Sequence, residues 1–136
     1  MKIYVNHVSE DGLDLAAEYD PIALEMNRAD AQVAGPIRLE GRATLEAKEL
    51  FVSAEVAYQL ALTCARCLEP VTHRAAKSLF LHYDTTQESV VDITGDVRQE
   101  IMLEYPLIAL CQPECRGLCT VCGANWNHGT CQHRGA

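Results

Sequence analysis

Residues 50–67 read LFVSAEVAYQLALTCARC. Leu50, Val52, Ala54, Val56, Tyr58, Leu60, Leu62 and Cys64 recur at every second position. Successive side chains of a strand point to opposite faces, so this stretch predicts one long, half-buried β-strand whose last inward position is a cysteine.

The flanks repeat the pattern. Before it, Ile37, Leu39, Ala43, Leu45 and Ala47 alternate with Arg38, Glu40, Arg42, Thr44 and Glu46, and Lys48-Glu49 reads as the turn between two strands. After Pro70 a third run carries Val71, Ala75, Leu79, Leu81 and Tyr83, interrupted by His73 and Lys77. Three alternating runs in succession predict an antiparallel meander with one face on a core. Ile3 and Val5, with Leu13 and Leu15 after the Asp11-Gly12 turn, are expected to join the same sheet. Asp20-Pro21 has the form of a helix cap and first helical residue, predicting a short helix near 21–28. Val97, Ile101, Glu104, Tyr105 and Ile108 fall at helical spacing and predict a helix near 94–105, with Asp92 or Thr94 at its start and Pro106 at its end. The expected class is α+β: mostly antiparallel β-sheet or a partly open barrel, with one or two short helices and a zinc-bound C-terminal tail. Residues 1–110 form the β-rich part, and 111–136 a cysteine-rich tail packed on the 64–67 hairpin.

The chain has 136 residues and a formal charge of −8, from 19 acids against 11 bases. Residues 1–110 carry eighteen of the acids and nine of the bases, so the acidity belongs to the β-rich part. Binding to phosphate backbones relies on clustered Lys and Arg, which excludes a generic nucleic-acid binder. No apolar run approaches the ~20 residues of a membrane span, and the opening MKIYVNHVSEDG lacks the features of a secretion signal. The expected location is therefore cytoplasmic, where thiols stay reduced and seven cysteines read as metal ligands or redox groups rather than disulfides.

Five of those cysteines lie in residues 111–133, CQPECRGLCTVCGANWNHGTCQH. Cys64-x2-Cys67 and Cys119-x2-Cys122 are knuckles in which two residues between the sulfurs let both reach one ion at about 2.3 Å. Cys111-x3-Cys115 and Cys131-x-His133 complete eight ligands, the number that two closed tetrahedral sites require. One division joins Cys64 and Cys67 to Cys111 and Cys115, leaving Cys119, Cys122, Cys131 and His133 for a second ion. One-ion versions use Cys111, Cys115, Cys119 and Cys122, or the two knuckles together. The sequence leaves the pairing open; two zinc ions are favoured over one, with His128 the rival of His133. No His-x-Glu or His-Glu-x-x-His arrangement marks an open catalytic site, so the metal is expected to hold the fold and no small-molecule substrate is expected. A thiol redox pair at Cys64 and Cys67 is the alternative, although a hairpin tip lacks the helix dipole that usually stabilises such a thiolate. Arg66, Arg74 and Lys77 are candidate contacts for phosphate or an acidic partner, and Trp126 either plugs the tail onto the sheet or stacks on a base. His7, His73 and His82 read as surface or sheet residues.

The strand ending in CARCLEPV, the helix DVRQEIMLEYPL and the tail CQPECRGLCTVCGANWN followed by CQH resemble the YceD family of large ribosomal RNA accumulation proteins, over roughly residues 36–133. Family members are bacterial and plastid proteins, and the resemblance implies a non-enzymatic part in accumulation of 23S ribosomal RNA and in building the large ribosomal subunit. Family tails commonly have cysteine where His133 stands here, a change that keeps a zinc-ligand type. The expected partner is a large-subunit precursor, engaged through rRNA at a restricted site or through a basic ribosomal protein, which would use the negative charge directly. A structural zinc module serving other protein contacts is the remaining alternative.

Overall fold

The protein is described from a computed structural model, which defines residues 1–28, 31–106, 108–129 and 131–133. Its centre is strand β5, introduced after β1 (Lys2–Tyr4), β2 (Leu13–Tyr19), β3 (Ala31–Val33) and β4 (Ile37–Glu46); β5 spans Glu49–Thr63 and β6 spans Pro70–Asp84. Every second residue of β5, from Leu50 to Leu62, is buried. Burial continues without a break into Cys64, which is fully enclosed. The period-two reading of residues 50–64 therefore holds along its length.

β6 pairs antiparallel with the whole of β5, from Glu49↔Asp84 to Thr63↔Pro70. On the other edge, β4 takes the first half (Glu46↔Glu49 to Arg38↔Ala57) and β3 the far end (Ala31↔Leu62 to Val33↔Leu60). β2 pairs with β4 outside it, from Leu13↔Ala43 to Tyr19↔Ile37. The five strands form an open sheet rather than a closed barrel, since no ladder joins β2 to β6 among the described residues.

Three expectations change in detail. The β4–β5 turn is Ala47-Lys48, one residue earlier than read, with both residues in the left-handed region (φ 48° and 70°). A two-residue hairpin of that geometry matches strand twist but is usually signalled by Asn-Gly, which this sequence lacks. Ile3 is buried, yet β1 pairs with β7 (Val90–Asp92) in a separate two-stranded ladder, and Val5 falls in a 3₁₀ turn over Val5–His7. The seven-residue β2 already occupies the β4 edge, and a three-residue strand finds the equally short β7 instead. Residues 21–28 do not form a helix. Asp20 does start a turn, with Leu24 N donating to Asp20 O at 3.2 Å and Met26 N to Pro21 O at 3.2 Å, but Glu25 at φ 52° ends it. A segment this short gains too few hydrogen bonds to offset nucleation.

The late helix, α1 (Thr94–Leu103), covers the inner face of the sheet with Val97 and Ile101 wholly buried. Asp92 Oδ1 accepts the Thr94 N–H at 3.0 Å, satisfying one donor of the first turn. Arg98 donates from Nε to Leu24 O at 2.6 Å, and Tyr105 Oη donates to Met26 O at 3.0 Å, so α1 and the residues just after it also fix the turn at 24–26. Ile108, expected on the helical face, lies beyond the helix and is exposed. Leu39, Leu50, Val52, Val56, Leu60 and Leu79 meet Ile3, Met26 and Ile93 in one core. Cys64, Cys67 and Cys115 form a second, smaller cluster with Val71, Leu110 and Leu118. Among the described residues, no helix is long and apolar enough to cross a membrane.

Candidate metal centre

Because β5 ends on an inward Cys64, the hairpin that leads to β6 must turn with its first thiol inside the molecule. Cys64 N donates to Glu69 O at 2.9 Å, and Leu68 N donates to Cys64 O at 2.9 Å, with Leu68 left-handed at φ 63°. The tail repeats this knuckle atom for atom. Cys119 N donates to Ala124 O at 2.8 Å, Gly123 N donates to Cys119 O at 3.0 Å, and Gly123 sits at φ 76°. The two knuckles read from the sequence thus share one turn, although the second fills the left-handed position with glycine and the first with leucine.

The knuckles serve different groups. The Sγ atoms of Cys64, Cys67, Cys111 and Cys115 all lie within 4.8 Å of one another, and so do the ligand atoms of Cys119, Cys122, Cys131 and His133. Of the divisions left open by the sequence, the two-group one is assembled, and neither one-ion set is gathered. In the first group Cys64 and Cys115 are 3.7 Å apart and Cys67 and Cys111 3.6 Å. Four thiolates tetrahedrally placed at about 2.3 Å around an ion have sulfurs roughly 3.8 Å apart, so the spacing fits. All seven cysteines are free. In the second group His133 Nδ1 is buried without a hydrogen-bond partner. A buried ring nitrogen is normally satisfied, and a metal would satisfy this one. Both groups can thus hold a metal ion, and the donor set suits zinc. The first is mostly buried, whereas Cys122 in the second is exposed.

Hydrogen bonds reach the sulfurs from outside the ligand sets. Asn127 Nδ2 donates to Cys115 Sγ at 3.2 Å and lowers that thiol from its ordinary value. Trp126 Nε1 donates to Cys131 Sγ at 3.3 Å, the main cause that brings Cys131 down to about 6. The backbone N–H of Cys67, helped by those of Cys111 and Arg66, brings Cys64 to about 6 against the opposing effect of burial. Donors that favour the charged sulfur favour the form that binds metal. Residues 125–127 therefore touch both groups, Trp126 one and Asn127 the other. Asn125 Nδ2 donates to Glu69 Oε1 at 3.0 Å, and His128 Nε2 lies 2.8 Å from the same oxygen, tying this loop back to the hairpin. His128 is thus engaged by Glu69, and His133 is the histidine brought to the sulfurs.

The four proposed contact residues are not gathered into one patch. Arg66 Nη1 donates to Cys115 O at 3.0 Å, bracing the tail. Arg74 is exposed on the outer face of β6. Lys77 points to the inner face, where Nζ meets Glu100 Oε2 of α1 at 3.0 Å and Glu104 Oε1, just past the helix, at 2.9 Å. The Trp126 indole is turned to Cys131.

The sequence profile described as "Large ribosomal RNA subunit accumulation protein YceD" matches residues 52–136, which takes in most of β5, all of β6 and α1, and all eight candidate ligands. The chain belongs to the YceD family. The uncharacterized protein Rv2926c of Mycobacterium tuberculosis is 40% identical over 90 residues, covering 54% of this chain and 44% of its own. YlbN of Bacillus subtilis is 27% identical over 99 residues, covering 63% of this chain and 58% of its own. A chloroplastic YCED homolog of Zea mays, named as a large ribosomal RNA subunit accumulation protein, is 45% identical over 47 residues, covering 35% of this chain and 16% of its own. The chain thus spans only about half the length of these relatives, or less. No solved structure matches the chain.

Proposed function

We propose that this YceD protein is a non-enzymatic, zinc-binding factor that supports accumulation of 23S ribosomal RNA and assembly of the large ribosomal subunit in the cytoplasm. Two zinc ions hold residues 111–133 against the sheet. Cys64, Cys67, Cys111 and Cys115 bind one ion, and Cys119, Cys122, Cys131 and His133 the other. The observation that carries this reading is the convergence of two complete four-ligand groups, the first built from thiols 44 to 51 positions apart in the chain, in a member of a family named for ribosomal RNA accumulation. Four N/S ligands per ion leave no position for water or substrate, which favours a structural role. A redox role for Cys64 and Cys67 has less support, because their sulfurs lie beside those of Cys115 and Cys111.

The surface that the zinc stabilises engages a large-subunit precursor. With a formal charge of −8, the chain is better suited to a basic ribosomal protein than to bare phosphate backbone. Replacing the chromosomal gene by one encoding Cys111→Ser and Cys115→Ser tests the proposal. Zinc content should fall by one ion per chain, and gradient fractionation should show fewer large subunits and less mature 23S RNA. Normal subunit profiles in zinc-depleted protein would remove the link between metal and function.

A further inference from the structure

Both phenylalanines of the chain face solvent on the outer side of the sheet, although every second position of β5 and Leu79 of β6 are available inside. Phe80 is 79% exposed and Phe51 39%. The His82 ring stacks on Phe51 at 4.8 Å and 13°. With Arg42, Thr44 and Ser53, these rings line a shallow hollow of about 260 Å³. Such a patch exposes apolar area that burial would stabilise.

The pairing register places acids on both sides of it. Toward the hairpin turn, Glu46, Glu49 and Asp84 stand opposite one another across β4, β5 and β6. On the other side Glu40 stands opposite Glu55. Like charges directly across a sheet repel, so the Glu40–Glu55 pair is electrostatically unfavourable in the free protein, whereas hydrogen bonds from Thr86 hold the Asp84 carboxyl below its ordinary value. Arg42 of the patch is already matched, with Nη1 2.9 Å from Asp14 Oδ1, and His82 Nε2 lies 3.5 Å from Glu49 Oε1. Phe51 is thirteen residues from Cys64 along β5, roughly 43 Å at strand rise, so this surface is separate from the metal centre.

We infer that the Phe51–Phe80–His82 patch docks a basic, extended protein segment, with an apolar side chain seated on the rings and cations meeting the carboxylate rungs on either side. Glu49 and Glu55 are six residues apart on β5, about 20 Å, which asks for Lys or Arg some six residues apart in the ligand, with an apolar residue two positions in from one of them so that all three side chains share a face. This rests on the proposed basic partner and adds a second contact with it, remote from the surface that the zinc stabilises. Single-stranded RNA could stack on the same rings, but its phosphates would meet the carboxylates at both ends.

An NMR titration of the zinc-loaded, ¹⁵N-labelled chain tests the inference with three probes: a seven-residue peptide with lysine at both ends and phenylalanine at its third position, the same peptide with serine at that position, and a heptauridine. The phenylalanine peptide should shift amides around Phe51, Ser53, Phe80 and His82. The serine peptide, or the Phe80→Ala chain, should bind about tenfold more weakly, as expected when an aromatic anchor is lost. Glu49→Gln should flatten the salt dependence, and heptauridine should leave the patch unmoved. Equal affinity of both peptides, shifts confined to other surfaces, or a patch response to heptauridine but not to peptide would overturn it. Phe80→Ala should retain its zinc, so a negative result here stays separate from failure of the metal-dependent assembly role.

Discussion

Stripping the metal should untie the tail while leaving the sheet folded. Residues 111–133 contain 23 positions, and ordering them costs on the order of 20–40 kcal/mol at about 1–2 kcal/mol per residue. Little in the tail offsets this by burial, since among the described apolar side chains packed on the small cluster only Leu118 belongs to the tail, at about 2 kcal/mol or less. A structural zinc site contributes about 10–16 kcal/mol, so two ions supply an amount of the size required. The main core contains none of the cysteines and should survive their loss. Hydrogen exchange read by mass spectrometry, with and without a strong chelator, checks this directly. Amides from Cys111 onward and at the 64–69 turn should lose protection on chelation, while those of β4, β5 and β6 should keep it. A metal-stripped tail that stayed protected would refute the reasoning, as would a sheet that unfolded at the same chelator concentration.

Other substitutions probe single links. A Cβ at Gly41 would lie 2.3 Å from Ser53 O and 2.5 Å from Ala54 Cα, both backbone atoms, so Gly41→Ala should cost about 3 kcal/mol in urea unfolding of zinc-saturated protein. Leu68 occupies a left-handed position that Gly123 fills in the second knuckle; Leu68→Gly should be neutral or up to about 1 kcal/mol stabilising, read as an unchanged or raised denaturation midpoint. Falling pH returns protons to the thiols and releases zinc, and a donor that depresses a thiol pKa delays that release. Trp126→Phe removes the main cause of the low Cys131 value, so loss of the second ion should begin at higher pH. Asn127→Ala should move the first ion in the same sense through Cys115, with a chromogenic chelator following both.

The strands could be read in advance because burial follows period two with hardly a break from Leu50 to Cys64, and the same alternation delivers the first metal ligand to the interior. The grouping of Cys64 and Cys67 with Cys111 and Cys115 was among the readable options, but choosing it needed the path of the chain after α1. That path is set by backbone contacts such as Ala65 N to Ala109 O at 2.8 Å, which leave no trace in residue type. The Asp20-Pro21 signal misled for a related reason: it marks a helix start, while the turn it opens is closed by Arg98 and Tyr105 from a distant segment. Lys77 looked like a surface cation until α1 supplied Glu100 and Glu104 as partners. The outward placement of Phe51 and Phe80 follows from the alternation itself, once Val52 and Leu79 are fixed inside.

Anomalous scattering at the zinc edge, from crystals of protein purified without chelator, tests the central claim most directly. The account predicts two peaks per chain, one enclosed by Cys64, Cys67, Cys111 and Cys115 and the other by Cys119, Cys122, Cys131 and His133. A single ion shared between the two knuckles, or no ion with the sulfurs joined in disulfides, would contradict it.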